Sequence, residues 1–156
     1  MIPEAQNTKK VLLLPPQLKD NGDFANNTYV DTKGWGYVEF LILMGDTDVA
    51  SGDAVGSTAE DTAPYIEECD TSGGTYAKLT GAELGTAIQY DDDSKLFQID
   101  VDLVSVEHKR YMRVNAPHSA AGAANGSNAA ILAILSKPEL GPQSAAERGL
   151  EEHVIA

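Results

Sequence analysis

With 24 acidic against 11 basic side chains in 156 residues, the chain has a formal net charge of −13, the wrong sign for releasing counterions from nucleic-acid phosphates. No apolar run approaches the roughly 18 residues of a membrane-spanning helix, so neither nucleic acid nor a bilayer is an expected partner. The length suits one domain, and the lone Cys69 excludes an internal disulfide and a cysteine-based zinc site.

Residues 1–9 read as an N-terminal arm; their polar start lacks the basic region of a secretory signal and predicts synthesis in the cytoplasm. Residues 11–14 predict a first strand that stops at Pro15-Pro16, because proline cannot donate to a central ladder. Residues 19–27 read as loop with a tight turn at Asp20-Asn21-Gly22-Asp23, and residues 28–32 as a short strand that turns at Lys33-Gly34. Residues 37–44 are the strongest core candidate. Val38, Phe40, Ile42 and Met44 share one face and Leu41 and Leu43 the other, so this strand is buried on both faces or carries a partner on its second.

Residues 45–63, rich in Asp, Ser, Thr, Gly and Ala, read as a long loop. A strand restarts at residues 64–69, turns at Thr71-Ser72-Gly73-Gly74 and returns over residues 75–79. After Asp91-Asp92-Asp93, residues 96–103 alternate most cleanly, with Phe97, Ile99, Val101 and Leu103 inward and Gln98, Asp100 and Asp102 outward. Residues 109–115 place Arg110, Met112 and Val114 on one side. Beyond a small-residue loop at 116–128, the apolar run 129–135 fits helix or strand, with Ile131 and Ile134 favouring strand. Lys137-Pro138 and Gly141-Pro142 then interrupt structure, and residues 144–148 offer one helical turn. Val154-Ile155-Ala156 ends the chain either as a solvated terminus or as an arm docking on a neighbouring subunit. The layout predicts an all-β protein: an antiparallel β-sandwich or jelly roll of seven or eight strands over residues 10–136, with extended arms at 1–9 and 137–156.

Candidate chemistry is sparse. His108, His118 and His153 lack the closely spaced partner of a metal pair, and no Gly-x-Ser-x-Gly elbow is present. Gly122 and Gly126 lack the Lys-Ser/Thr that completes a phosphate loop. Asp46-Thr47-Asp48 with Gly52-Asp53, and Asp91-Asp92-Asp93, read as solvated turns, with a bound cation as the alternative. Cys69, between Glu68 and Asp70, is disfavoured as a thiolate and reads as a small buried apolar residue. Trp35, Tyr37, Tyr65, Tyr76, Tyr90 and Tyr111 read as core or sheet-face packing, with a sugar-stacking platform as the alternative, for which Trp35, between two glycines, is the residue to check for exposure. The expectation is a protein that is not an enzyme and uses no cofactor.

Four stretches carry a resemblance. Val11-Leu12-Leu13-Leu14-Pro15-Pro16 opens the domain, and Val30-Asp31-Thr32-Lys33-Gly34 leads into the aromatic-aliphatic strand. Glu68-Cys69-Asp70-Thr71-Ser72-Gly73-Gly74-Thr75-Tyr76 makes the hairpin, and Ala133-Ile134-Leu135-Ser136-Lys137-Pro138 passes into Ser144-Ala145-Ala146-Glu147-Arg148-Gly149. In style and order the chain resembles the small head proteins of tailed bacteriophages encoded near the major capsid protein. The resemblance implies a capsid decoration, or cement, protein on the surface of the mature virion. Such a protein binds the major capsid protein in many copies as a dimer or trimer and gains avidity by bridging capsomers. Lys9, Lys10, Val11 and Leu12, together with Val154 and Ile155, are the candidate capsid or subunit contacts, through β-augmentation or apolar docking. The alternatives are another virion component (neck, tail or receptor-facing β domain) and a carbohydrate-binding module.

Overall fold

Period-two alternation of apolar and polar residues, punctuated by Gly, Asp and Pro, commits this chain to strands. The computed structural model describes residues 7–19, 28–47, 53–55, 63–116 and 127–139, and all regular structure among them is β. The strands are β1 (Lys9–Lys19), β2 (Val30–Asp31), β3 (Trp35–Thr47), β4 (Asp53–Val55), β5 (Tyr65–Cys69), β6 (Ala77–Glu83), β7 (Ile88–Gln89), β8 (Leu96–Asp102), β9 (Tyr111–Asn115) and β10 (Ser127–Pro138).

Two four-stranded sheets, β1-β10-β3-β8 and β2-β9-β5-β6, are joined by a two-stranded ribbon of β4 and β7. All pairs are antiparallel, and they are nested: β1 with β10, β2 with β9, β3 with β8, β4 with β7, β5 with β6. One long hairpin is thus rolled up so that its successive ladders fall in alternate sheets, which is the jelly-roll arrangement. Among the described residues eight strands make the two sheets and the ribbon adds two, against the seven or eight strands expected in all.

The inner faces of both sheets form a single core. Val38, Phe40 and Ile42 of β3 and Ile131, Ala133 and Leu135 of β10 belong to the same buried cluster as Val30, Ile66, Met112 and Val114 of the second sheet. Ile99 and Val101 of β8 join them, as the alternation of that strand requires, while Phe97 and Leu103 are half-buried at its margin.

Several sequence expectations need correction. β1 does not stop at Pro15-Pro16; it runs through them to Lys19. It is an edge strand, and its register against β10 slips between Leu12 and Leu14 and again between Leu14 and Gln17. The first bulge lets Leu13 and Leu14 both enter the core, and the second carries the two prolines where no partner asks for an N–H. The stretch read as one loop from 45 to 63 holds the end of β3 and all of β4, whose Ala54 and Val55 are fully buried. The return strand of the hairpin begins at Ala77, not Thr75, and extends to Glu83. Arg110 precedes β9 and is exposed, apart from the buried Met112 and Val114. Residues 129–135 are strand, because they complete ladders to β1 and β3 on both sides, and β10 persists to Pro138 with Lys137 at φ +53°. Gly34, at φ +83°, closes the turn in which the Trp35 N–H donates to the Thr32 carbonyl at 3.1 Å.

Candidate functional site

The outer faces of the two sheets differ in chemistry. On the second sheet the register sets Arg113 opposite Glu67 and Asn115 opposite Tyr65. Arg113 Nε donates to Glu67 Oε2 at 2.7 Å, while Asn115 Nδ2 donates to Glu67 Oε1 at 3.0 Å and lies 2.9 Å from the Tyr65 hydroxyl. The Arg113 guanidinium stands 4.1 Å from the centre of the Tyr76 ring, and Lys78, paired with Glu83, stands 4.9 Å from that of Tyr65. Farther along, Arg110 makes a two-pronged contact with Asp31 at 2.8 and 2.6 Å, covers Tyr111 at 4.9 Å, and Tyr29 meets Tyr111 edge-on at 5.3 Å.

These contacts shape the ionisation of the face. The hydrogen bond from Arg110 holds the Asp31 carboxyl below its ordinary range, against the opposing effect of burial. Burial raises the Tyr65 and Tyr76 phenols, with the Glu67 charge adding to it at Tyr65. Three of the four tyrosine rings of this face, Tyr65, Tyr76 and Tyr111, thus already have a cation over the ring, and Tyr29 meets Tyr111 by its edge. Trp35 is only 8% exposed and belongs to the core, as the reading of the aromatics as packing residues expects, and not to a sugar-stacking platform.

The candidate titratable clusters turn out to be fasteners. Asp93 Oδ1 accepts the Thr47 N–H at 2.8 Å and lies 2.6 Å from the Thr47 hydroxyl, whose single proton is shared with the Tyr90 carbonyl at 2.5 Å. Asp92 accepts the Gln89 N–H at 2.8 Å through Oδ2 and Lys95 at 2.7 Å through Oδ1. The Thr47 bonds lower the Asp93 carboxyl; at Asp92 burial acts to raise it, and the Lys95 and Gln89 hydrogen bonds together outweigh it. Asp93 thus ties the β7–β8 turn to the end of β3, Asp92 closes that turn on itself, and Asp91 is exposed. Asp46 is exposed at the end of β3, and Asp48 lies outside the described residues.

His108 Nδ1 sits 3.3 Å from Glu68 Oε2, which also accepts the Lys109 N–H at 3.1 Å. It borders a cleft of about 180 Å³ between β6 and β8. Cys69 is buried, as the sequence suggests. His118 and His153 lie outside the described residues. Among the described residues no three His, Cys, Asp or Glu side chains are grouped to hold a metal ion.

The outer face of the first sheet is different. Register aligns Leu12, Leu132, Leu41 and Gln98 in one row across β1, β10, β3 and β8. The next row toward one end reads Ala130, Leu43, Leu96 across β10, β3 and β8. Toward the other end it reads Lys10, Ile134, Glu39, Asp100. Leu12 is 53%, Leu43 42% and Leu96 59% exposed, so the face presents an apolar band to its surroundings. A shallow groove of about 430 Å³ continues it past Pro16, Gln17 and Asn128. At the acidic corner Tyr37 lies beside Asp100 and Glu39; its phenol is raised by burial first and then by those charges.

Of the sequence-derived contact residues, Lys9, Lys10, Val11 and Leu12 lie in β1, opposite Leu135, Ile134, Ala133 and Leu132. Lys9 is therefore part of an edge strand and not of an arm, because Val11, Leu13 and Leu14 anchor the segment against the core. Only Lys10 and Leu12 share the outer-face rows; Val154 and Ile155 lie outside the described residues. Sequence reasoning missed Leu132, Ile134 and Leu96 as surface elements. The available signal was that residues 129–135, like β3, are apolar at both parities. Comparison of the chain with protein-family models, curated proteins and solved structures found no match.

Proposed function

We propose that this protein is a structural component of a tailed-phage virion, a cement protein that binds the outer surface of the mature capsid through the major capsid protein. The jelly roll is shared by capsid proteins, lectins and cupins, so architecture alone does not choose among them. The observation that favours assembly is the contrast between the faces: polar groups of the second sheet pair with one another, while the first sheet keeps an apolar band exposed on a chain of net charge −13. A sugar platform needs several free aromatic faces together, whereas Tyr65, Tyr76 and Tyr111 are already capped by cations, which leaves Tyr29, edge-on to Tyr111, and Tyr90 as the exposed rings.

The mechanism is physical. Each copy adds a modest contact, and a homo-oligomer touching several capsomers converts later contacts into intramolecular ones at high effective concentration. Co-sedimentation with expanded and unexpanded shells of the neighbouring capsid gene product tests this. Saturable binding to the expanded shell alone supports cement function, and binding to neither refutes it. Truncation after Glu139 removes Val154 and Ile155; unchanged capsid affinity would exclude them as contacts.

A further inference from the structure

We infer that the outer face of the first sheet is where a second copy of this chain docks, forming a dimer about a two-fold axis parallel to the strands. The argument begins with the charges in one cross-strand row. Lys10 stands on β1 at one edge of the sheet and Asp100 on β8 at the other, with Ile134 and Glu39 between them. Adjacent is the row of Leu12, Leu132 and Leu41, ending in Gln98.

A face can pair with its own copy only if a two-fold operation makes it complementary to itself. A two-fold axis along the strands reverses the strand order between copies. It sets β1 over β8 and β10 over β3, so Lys10 meets Asp100 twice and Leu132 meets Leu41 twice. An axis across the strands sets each strand over its own copy, so β1 never reaches β8 and no Lys10–Asp100 pair forms. At full overlap of the two sheets only the strand-parallel axis pairs Lys10 with Asp100, and it does so with a second copy of the same face. Aligned packing of this kind keeps strand directions within about 30° and the sheets about 10 Å apart, which suits Leu and Ile side chains. Two copies of a chain at −13 repel in general; here two Lys10–Asp100 pairs offset that repulsion beside the apolar row of Leu12, Leu132 and Leu41, with Glu39 facing Ile134 of the other copy at the margin.

The inference deepens the homo-oligomer of the proposed function and rests on the same apolar band, which it assigns to the contact between copies, so that the capsid contact lies elsewhere on the dimer. Sedimentation velocity of the full chain over a wide concentration range is the test, with the 16.6 kDa monomer as reference. The wild type is expected as a dimer, and Leu132→Glu as a monomer with an unchanged far-UV spectrum. Lys10→Glu or Asp100→Lys alone should weaken the dimer about tenfold, and their combination should restore it to within about threefold, because both pairs are then inverted together. A wild type that stays monomeric overturns the inference. So does a dimer indifferent to Leu132→Glu, or a double reversal no better than the singles. Capsid co-sedimentation is read separately: a monomeric wild type that still pellets with expanded shells refutes the dimer alone.

Discussion

Replacing Glu67 by Ala removes the acceptor of the Arg113 Nε and Asn115 Nδ2 hydrogen bonds at once. Glu67 is 8% exposed, whereas the Arg113 side chain is 26% exposed. Breaking a fully buried pair costs about 3–5 kcal/mol and an exposed one about 0.2–1 kcal/mol. A pair with one member a quarter exposed should fall between, at about 2 kcal/mol. At a urea slope of about 2 kcal/mol/M, the unfolding midpoint should drop by roughly 1 M. Trp35, the only tryptophan and a core residue, reports the transition by fluorescence, with far-UV circular dichroism as the second probe. Arg113→Ala provides the other side of a double-mutant cycle. In that background Glu67→Ala should cost under about 1 kcal/mol, since the Arg113–Glu67 pair is already broken. Equal costs in both backgrounds would show that the two groups do not support one another and would refute the description of this face as internally satisfied.

Acid should loosen the fold in a defined window. The folded Asp31, Asp92 and Asp93 carboxyls all lie below the ordinary value of 3.8, so their stabilisation is complete above that value and is lost as pH falls through the depressed ones. The urea midpoint should hold steady down to about pH 5 and fall below about pH 4, and Asp93→Asn should lower it at neutral pH while flattening the acid limb; an unaltered limb would contradict the assignment. In the hairpin, a Cβ at Gly74 would come within 2.5 Å of Thr71 Oγ1 and 2.6 Å of Cys69 Sγ, whereas one at Gly73 meets nothing within 4 Å. Gly74→Ala should therefore cost about 1–3 kcal/mol and Gly73→Ala stay within about 0.5 kcal/mol, by the same urea assay. Because the outermost ladder joins β1 to β10, folding must close most of the chain into a loop. Stopped-flow refolding should run on the millisecond-to-second scale or slower, and microsecond refolding would contradict the nested topology.

The sequence by itself determined the strands whose two faces differ. β8 alternates inward Ile99 and Val101 with outward Gln98, Asp100 and Asp102, and β9 buries Met112 and Val114 between polar neighbours; a period of two is a property of the local chain and needs no partner to be read. Where both parities are apolar, as in residues 129–135, the pattern does not separate strand from helix, and the ladders to β1 and β3 decide. Proline reads locally as a stop, yet an edge position and a bulge accommodate Pro15 and Pro16, and edge status is a fact about neighbours far away in sequence. β4 is three residues long and sits in polar surroundings, so only its pairing with β7 reveals why Ala54 and Val55 are buried. The candidate surface follows the same division. The apolar second face of β3 is visible from Leu41 and Leu43, but its extension to Leu12, Leu132 and Leu96, with Lys10 and Asp100 at opposite edges, exists only once register aligns four strands that are distant in sequence.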